Sequence, residues 1–225
     1  MSTPSTHLKI AILGGTGKEG RGIAYRLAKA GHQVLIGSRS PEKAVTAVSE
    51  IVRLLDDASS IQGMSNLEAA RQSDIAFLTV PYAAHRDTLE SVKDALKGKI
   101  LIDVTVPLLP PKVAKVNIPP AGSAAQEAKQ ILGEEAEIAS AFQNISHELL
   151  LQDIDVGCDV LVTGTSKETR AAVLELVKDA GLDGWDAGPI ENSVVVEGLT
   201  SVLININKRY GSTYAGIKIT GVRKE

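Results

Sequence analysis

Cysteine is almost missing from this chain: among 225 residues, Cys158 stands alone. A lone cysteine can form no internal disulfide, and it excludes a multi-cysteine metal site. Its expected place is as a small packed residue in or beside a strand. Aromatic residues make up only 3% of the chain, too few for a platform that stacks nucleic-acid bases. An excess of positive charge is missing too, and the net charge of −3 argues against nucleic acid or an acidic membrane as partner. No apolar run is long enough to cross a bilayer, and the start of the chain is polar and unlike a signal peptide, so a cytoplasmic protein is expected. The histidines His7, His32, His85 and His147 lack metal-ligand spacing, so no metal site is expected. His32 and His85 read as surface residues. No G-x-S-x-G elbow occurs, which disfavours a serine hydrolase. Two Y-x-x-x-K pairs, Tyr25 with Lys29 and Tyr214 with Lys218, fail on context: the first lies in a glycine-motif helix and the second is interrupted by Gly216.

What is present is organised around residues 10–20. An apolar run ends in a glycine turn, and an amphipathic segment follows at once. Gly15, Gly17 and Gly20 fit G-x-G-x-x-G, with Thr16, Lys18 and Glu19 between them. In such a motif the first glycine allows the tight turn, the second lets backbone approach a pyrophosphate, and the third lets helix pack close to strand. The helix N-terminus then offers unpaired N–H groups and a positive dipole end to the phosphates. A dinucleotide site is therefore expected here.

The second strand ends in Gly37-Ser38-Arg39-Ser40-Pro41-Glu42-Lys43. An NAD site usually places Asp or Glu about 20 residues after the glycines, to hold the ribose 2′-hydroxyl. Here Ser38 and Arg39 occupy that zone. A carboxylate repels a 2′-phosphate, whereas a hydroxyl and a guanidinium bind one, with Lys43 adding a further charge. NADP(H) is expected over NAD. The competing reading is a solvated basic turn in which Arg39 pairs with Glu42.

Apolar runs at residues 8–13, 33–37, 61–64, 75–80, 100–104 and 137–142 read as strands alternating with helices at 17–30, 41–55, 66–72, 85–96 and 123–132. A polar loop is expected at 56–60. Pro81 and Tyr82 close the fourth strand, where a doubly wound sheet lines its ligand crevice, and Val106 follows the fifth. The prolines between residues 107 and 120 make either a lid or a rigid crossover. Beyond residue 145 come a short helix at 147–151, strands at 159–164 and 182–187, and a helix between them reaching Ala180. The long helix at 191–207 carries an apolar stripe of Val195, Leu199, Val202, Leu203 and Ile206 for core or dimer packing. The expected fold is α/β: a Rossmann-type doubly wound parallel sheet with a small C-terminal α/β domain ending in a long helix. The expected division is residues 1–145 for NADP binding and 146–225 for the second domain. Glycines at 211 and 216 suggest a tail close enough to flat rings to help enclose them.

No catalytic acid–base pair is visible, so no catalytic residue is assigned. His147, after the sixth strand, is the one histidine with a functional position. Direct hydride transfer between two rings needs mainly positioning, which suits such a site.

The chain resembles the family of NADPH-dependent coenzyme F420 reductases, also called deazaflavin:NADP oxidoreductases, over nearly its whole length. The resemblance is carried by Leu13-Gly14-Gly15-Thr16-Gly17, by Ile36-Gly37-Ser38-Arg39 with Lys43, and by Thr79-Val80-Pro81-Tyr82. It continues in Asp186-Ala187-Gly188-Pro189 and Gly216-Ile217-Lys218. It implies that Thr16, Ser38, Arg39 and Lys43 hold the 2′-phosphate and that Pro81 and Tyr82 flank the cofactor. It also implies that residues 143–147, including Gln143 and His147, approach the nicotinamide. Some family members carry histidine where this chain has Gln143. The implied protein is a homodimer whose C-terminal domain covers the deazaflavin and which moves hydride between NADP(H) and coenzyme F420. Two alternatives stand beside this reading. One is an NADPH-dependent reductase of a flavin, quinone, imine or metal complex; the other is a non-catalytic NADP(H) sensor.

Overall fold

In the computed structural model, residues 7–55 and 60–222 are described. The polar loop expected at 56–60 lies, apart from Ser60, outside them. The first half runs β1 (Lys9–Leu13), α1 (Lys18–Lys29), β2 (Gln33–Ser38), α2 (Pro41–Val52), β3 (Ile61–Ser65), α3 (Asn66–Gln72) and β4 (Ile75–Leu78). It continues through α4 (His85–Val92), β5 (Ile100–Asp103), α5 (Ala124–Leu132) and β6 (Glu137–Ser140). The second half comprises α6 (His147–Leu150), β7 (Asp159–Gly164), α7 (Lys167–Asp179), β8 (Asp183–Pro189) and α8 (Ser193–Tyr210).

Among the described residues the strands form one eight-stranded sheet in the order β3-β2-β1-β4-β5-β6-β7-β8. β1 to β6 pair in parallel, so each is joined to the next by a helical crossover, and the order reverses between β1 and β4. This is the Rossmann-type arrangement. β7 then pairs antiparallel with β6, and β8 parallel with β7. The sheet thus runs on across residue 145.

The apolar runs are continuous because both sheet faces are covered. In β1, Ile10 and Ile12 belong to one core and Ala11 and Leu13 to the other, alternate residues pointing to opposite faces. The edge strand β8 is mostly half-buried or exposed.

Several elements stop short of their expected ends. β4 ends at Leu78 and β6 at Ser140, two residues early in each case. Thr79, Val80, Ala141 and Phe142 leave the ladder to line the crevice above it or the core beside it. The expected helix at 85–96 divides into α4 and a 3₁₀ turn over Lys93–Leu96. Capping follows local sequence: Ser65, Ser123 and Ser166 each accept a hydrogen bond from the backbone N–H three residues on.

Two histidines correct the sequence reading. His32 and His85 are both buried, not on the surface. His85 Nε2 lies 2.7 Å from Asp103 Oδ2, and His32 Nε2 lies 3.0 Å from Asp179 Oδ2. Each polar ring is tolerated inside because a carboxylate from a distant element meets it. For His85, burial works to lower the pKa, and the charge and hydrogen bond of Asp103 outweigh it, leaving the pKa raised.

The glycine-bearing tail also has a different role from the expected one. Gly211 is the left-handed cap of α8. A Cβ on Gly216 would stand 2.6 Å from Cys158 Cβ, so this residue packs on the core and not on a ligand. Two hydrogen bonds of 2.7 Å, from Asp159 N–H to Ile217 O and from Ile219 N–H to the Asp159 side-chain Oδ2, stitch the tail to β7. Among the described residues no helix is long and apolar enough to cross a membrane.

Candidate active site

The C-terminal ends of β1, β2, β4, β5 and β6 open onto one trough. Three adjoining cavities form it, of about 320, 510 and 310 Å³. The first and second share Gly17, Thr79, Val80 and Pro81. The second and third share Gln143, Ile145 and Thr200.

The glycine turn forms the floor where the first two cavities meet. The positive φ that the tight turn requires falls on Gly14, at 74°, one residue before the motif glycine assigned to it. A Cβ there would stand 2.4 Å from Val80 Cγ1. The Gly14 N–H donates to Asn66 Oδ1 (3.1 Å), and the Gly15 N–H is shared between Ile12 O and Gly37 O. Gly20 is required by close packing, since its Cβ would come within 2.7 Å of Gly15 Cα. Gly17 is different: its Cβ would meet nothing nearer than 3.6 Å. Packing does not demand a glycine there, and the open face it leaves at the start of α1 suits the close approach of a phosphate.

Ser38, Arg39 and Lys43 line the first cavity with Thr16. The Ser38 hydroxyl accepts from Ser40 N–H (3.2 Å), and Ser40 in turn donates to Glu42 (2.7 Å). Glu42 is thereby occupied and does not pair with Arg39. Among the described residues Arg39 and Lys43 form no ion pair and no side-chain hydrogen bond, and both are exposed. Two free cations over a hydroxyl, with no carboxylate facing them, fit a phosphate monoester dianion.

The second cavity takes Lys18, Glu19, Pro81, Tyr82, Val106 and Gln143 into its wall, together with Gly17, Phe142 and Thr200. Tyr82 donates to Glu127 Oε2 (2.7 Å), and Arg86 donates to the other oxygen of that carboxylate, Oε1 (3.0 Å). Burial and this carboxylate push the Tyr82 pKa up, so its proton stays put. Gln143 Nε2 donates to Asp103 O and Ser140 Oγ, both at 2.7 Å, and its Oε1 is buried without a donor. Phe142 holds φ at 73°, a left-handed conformation costing about 1–3 kcal/mol for a bulky side chain. It is held there by burial and by an edge-on contact with Phe77, the ring centroids 5.7 Å apart. The bend turns residues 143–145 from the strand into the trough.

His147 opens α6 in the wall of the third cavity. Burial, then the charges of Lys18 and Arg21, lower its pKa, so it is neutral at physiological pH. Buried Arg26 of α1 fixes this turn: it donates to the carbonyls of Leu149, Leu150 and Gln152 at 2.6–3.1 Å, the orphan acceptors at the end of α6. α8 closes the far side. Thr200 Oγ1 donates to Gln143 O (2.9 Å), and Asn144 Nδ2 donates to Val196 O (3.0 Å).

All the residues expected at the site, from Gly15 to His147, thus line one trough or support it. Asn66 and Thr200 also line it without having been expected there, and Gly14 and Thr79, quoted above only for the resemblance, join them. Asn66 carries no motif of its own, and both Asn66 and Thr79 reach the end of β1 only through the pairing of the sheet. Among the described residues no cluster of His, Cys, Asp and Glu could hold a metal ion.

A family model described as NADP oxidoreductase coenzyme F420-dependent matches residues 9–107. The F420-dependent NADP reductase of Methanocaldococcus jannaschii is 39% identical over 224 residues, covering 96% of this chain and 99% of that protein. That of Methanothermobacter marburgensis is 42% identical, again covering 96% and 99%. The crystal structure of an Arthrobacter sp. FB24 protein, described as a candidate F420-dependent NADP-reductase, superposes with a TM-score of 0.80 at 26% identity, covering 95% of this chain and 99% of that one. The similarity extends over both halves of the molecule, well beyond the dinucleotide motif. On these grounds the chain belongs to the F420-dependent NADP reductase family, oxidoreductases that transfer hydride between NADP(H) and coenzyme F420.

Proposed function

We propose that the trough is where this chain carries out that transfer, with NADP(H) laid along it from the β2 end to the β6 end. Ser38, Arg39, Lys43 and Thr16 take the 2′-phosphate. Gly15 to Gly20 and the start of α1 take the pyrophosphate. The nicotinamide enters the cavity of about 510 Å³, between Pro81, Tyr82 and Val106 on one side and Gln143 on the other. The free Gln143 Oε1 is an acceptor for a ring amide. The deazaflavin follows on the side of Thr200 and His147, where the third cavity joins the second. Holding two rings in contact within a mostly apolar wall supplies the positioning on which hydride transfer depends.

The observation that carries the assignment is the unpaired Arg39–Lys43 pair beside Ser38, at the strand end where an NAD site would carry an acid. It is tested by binding. NADPH should bind far more tightly than NADH, and Arg39→Ala should remove most of the difference. Equal loss for both cofactors would reject the placement.

Two further readings complete the proposal. The outer face of α8 leaves Val195, Val202 and Ile206 exposed at 63%, 46% and 38%, with Tyr210 beyond them. A second copy of the chain is the natural cover for this stripe, giving a C2 homodimer. Sedimentation of the wild type as a dimer and of Val202→Glu as a monomer is the expected result. Residues 146–225 serve as the acceptor-side unit of a cytoplasmic enzyme, supplying α8 and the α6 turn to the trough.

A further inference from the structure

Reduction of a 5-deazaflavin by NADPH consumes a proton as well as a hydride. The hydride leaves the nicotinamide C4 with its electron pair and bonds to the deazaflavin C5. The pair displaced through the conjugated ring needs a proton on a ring nitrogen. Most groups lining the cavity are poor sources of it. Tyr82 is engaged with Glu127 and held protonated, and His147 is neutral by burial and by neighbouring positive charge. Lys18 is exposed at the rim.

Glu19 is the exception. It occupies the first turn of α1 and lines the same cavity as Gln143 and Tyr82. The residue as a whole is half-buried, yet its Oε1 is sealed from solvent and has no hydrogen-bond partner. A carboxyl oxygen shut away in this manner is costly to ionise and needs either a proton of its own or a donor brought by a ligand. We propose that Glu19 is the proton donor and acceptor of the reaction: its O–H supplies the proton that accompanies hydride arrival at the deazaflavin, and its carboxylate takes that proton back in the reverse direction. After reduction the carboxylate regains a proton from water once the products leave. Atoms and charge then balance, with NADPH, oxidised deazaflavin and one proton giving NADP+ and reduced deazaflavin.

Two features support the assignment. Burial pushes the Glu19 pKa up to about 8, so the acid form prevails at neutral pH and the base form lies within reach. A bound pyrophosphate would also add negative charge at the same helix end, further disfavouring the carboxylate. Binding of NADP+ should therefore draw a proton onto Glu19 at and above its own pKa.

The proposal rests on the placement of the rings in this cavity, so its test separates the two. Proton uptake on NADP+ binding is measured at pH 8 by titration calorimetry in two buffers of different ionisation heat, for wild type, E19Q and R39A. The rate of deazaflavin reduction is followed against pH for wild type and E19Q. The expected result is uptake in the wild type that E19Q lacks, together with a reduction rate lower in E19Q by on the order of 10²-fold or more. The wild-type kcat/KM for NADPH should fall as pH rises through about 8, the limb in kcat should lie higher, and both should vanish in E19Q. E19Q should melt near the wild-type temperature at neutral pH, which shows that the fold is intact. If E19Q keeps the wild-type rate and pH profile while R39A weakens NADPH, the proton role is overturned and the cleft stands. If R39A leaves NADPH binding unchanged, the placement of the cofactor fails first.

Discussion

At the β2 end of the trough, Arg39 and Lys43 stand exposed and unpaired; in the cavity that runs from the start of α1 toward β6, Glu19 and Gln143 hold polar atoms that are buried and unsatisfied. The two sets of groups differ in their physics. The exposed cations lose little by having no partner, because water solvates them, and they gain from a phosphate through screened charge and bidentate hydrogen bonds. The buried groups are already desolvated, so each missing partner is a standing cost until the right ring atom arrives. On the proposed placement of NADP(H), the first end would select a cofactor by charge, and the second by shape and by the protonation of few atoms.

The variant expected to do the most damage abolishes the comparison by striking the floor common to both ends. Gly14→Ala forces a left-handed residue with a Cβ 2.4 Å from Val80 Cγ1. Left-handed strain and overpacking together cost about 2–5 kcal/mol. The melting temperature should fall sharply, and NADPH binding should be lost with it. An unchanged melting curve would show that the turn relaxes freely.

Next comes a change confined to the β6 end. Arg26→Ala removes the group that ties α1 to the carbonyls closing α6. Charge-assisted hydrogen bonds of this kind put the loss at about 2–4 kcal/mol. Denaturant unfolding gives the number. Binding should separate the two ends: affinity for the deazaflavin should weaken while adenosine 2′,5′-bisphosphate, which needs only the β2 end, binds as before.

Arg39→Ala is the reciprocal change. Losing one charge-assisted phosphate contact, about 1.5–3 kcal/mol, should weaken NADPH about 10- to 100-fold and leave NADH almost untouched. Because the site is exposed, rising salt should weaken NADPH binding in the wild type more than in the variant. Stability should barely move, in contrast to Arg26→Ala.

The same contrast explains what the sequence made legible. The exposed end was readable because its residues are neighbours: Ser38, Arg39 and Lys43 follow one strand, and the glycines set their distance. The order of β1 to β6 was readable for a similar reason, as each apolar run is short and punctuated. The buried end is assembled from β1, β4, β5, β6 and α8, so its properties depend on which distant groups meet. Glu19 reads in sequence as an ordinary acid in a helix's first turn; only the walls around it turn it into a buried carboxyl. His85 reads as a surface residue at a helix start until Asp103 of β5 is placed 2.7 Å away. Nothing local marks Phe142 as left-handed.

The smallest expected effect belongs to His147, and it sharpens the division of labour within the buried end. Burial and the nearby Lys18 and Arg21 lower its pKa, so the folded protein resists protonating it. Below the ordinary imidazole value of about 6.5 the unfolded chain then binds more protons than the folded one, and stability falls as pH drops. His147→Gln should remove this contribution. Its melting temperature should decline less than that of the wild type between neutral pH and pH of about 5.5, with little difference at neutral pH. The effect on turnover should also be modest, less than about tenfold, because a neutral ring in the wall of the third cavity positions a substrate without exchanging a proton with it. An essential acid would instead cost on the order of 10²–10⁴-fold and change the pH–rate profile. Were His147→Gln to produce that loss while E19Q did not, the proton would have to be reassigned from α1 to α6. The half-buried His147 would then need its pKa brought back up by the bound substrates, which NMR titration of the ring in the NADP+ complex would detect.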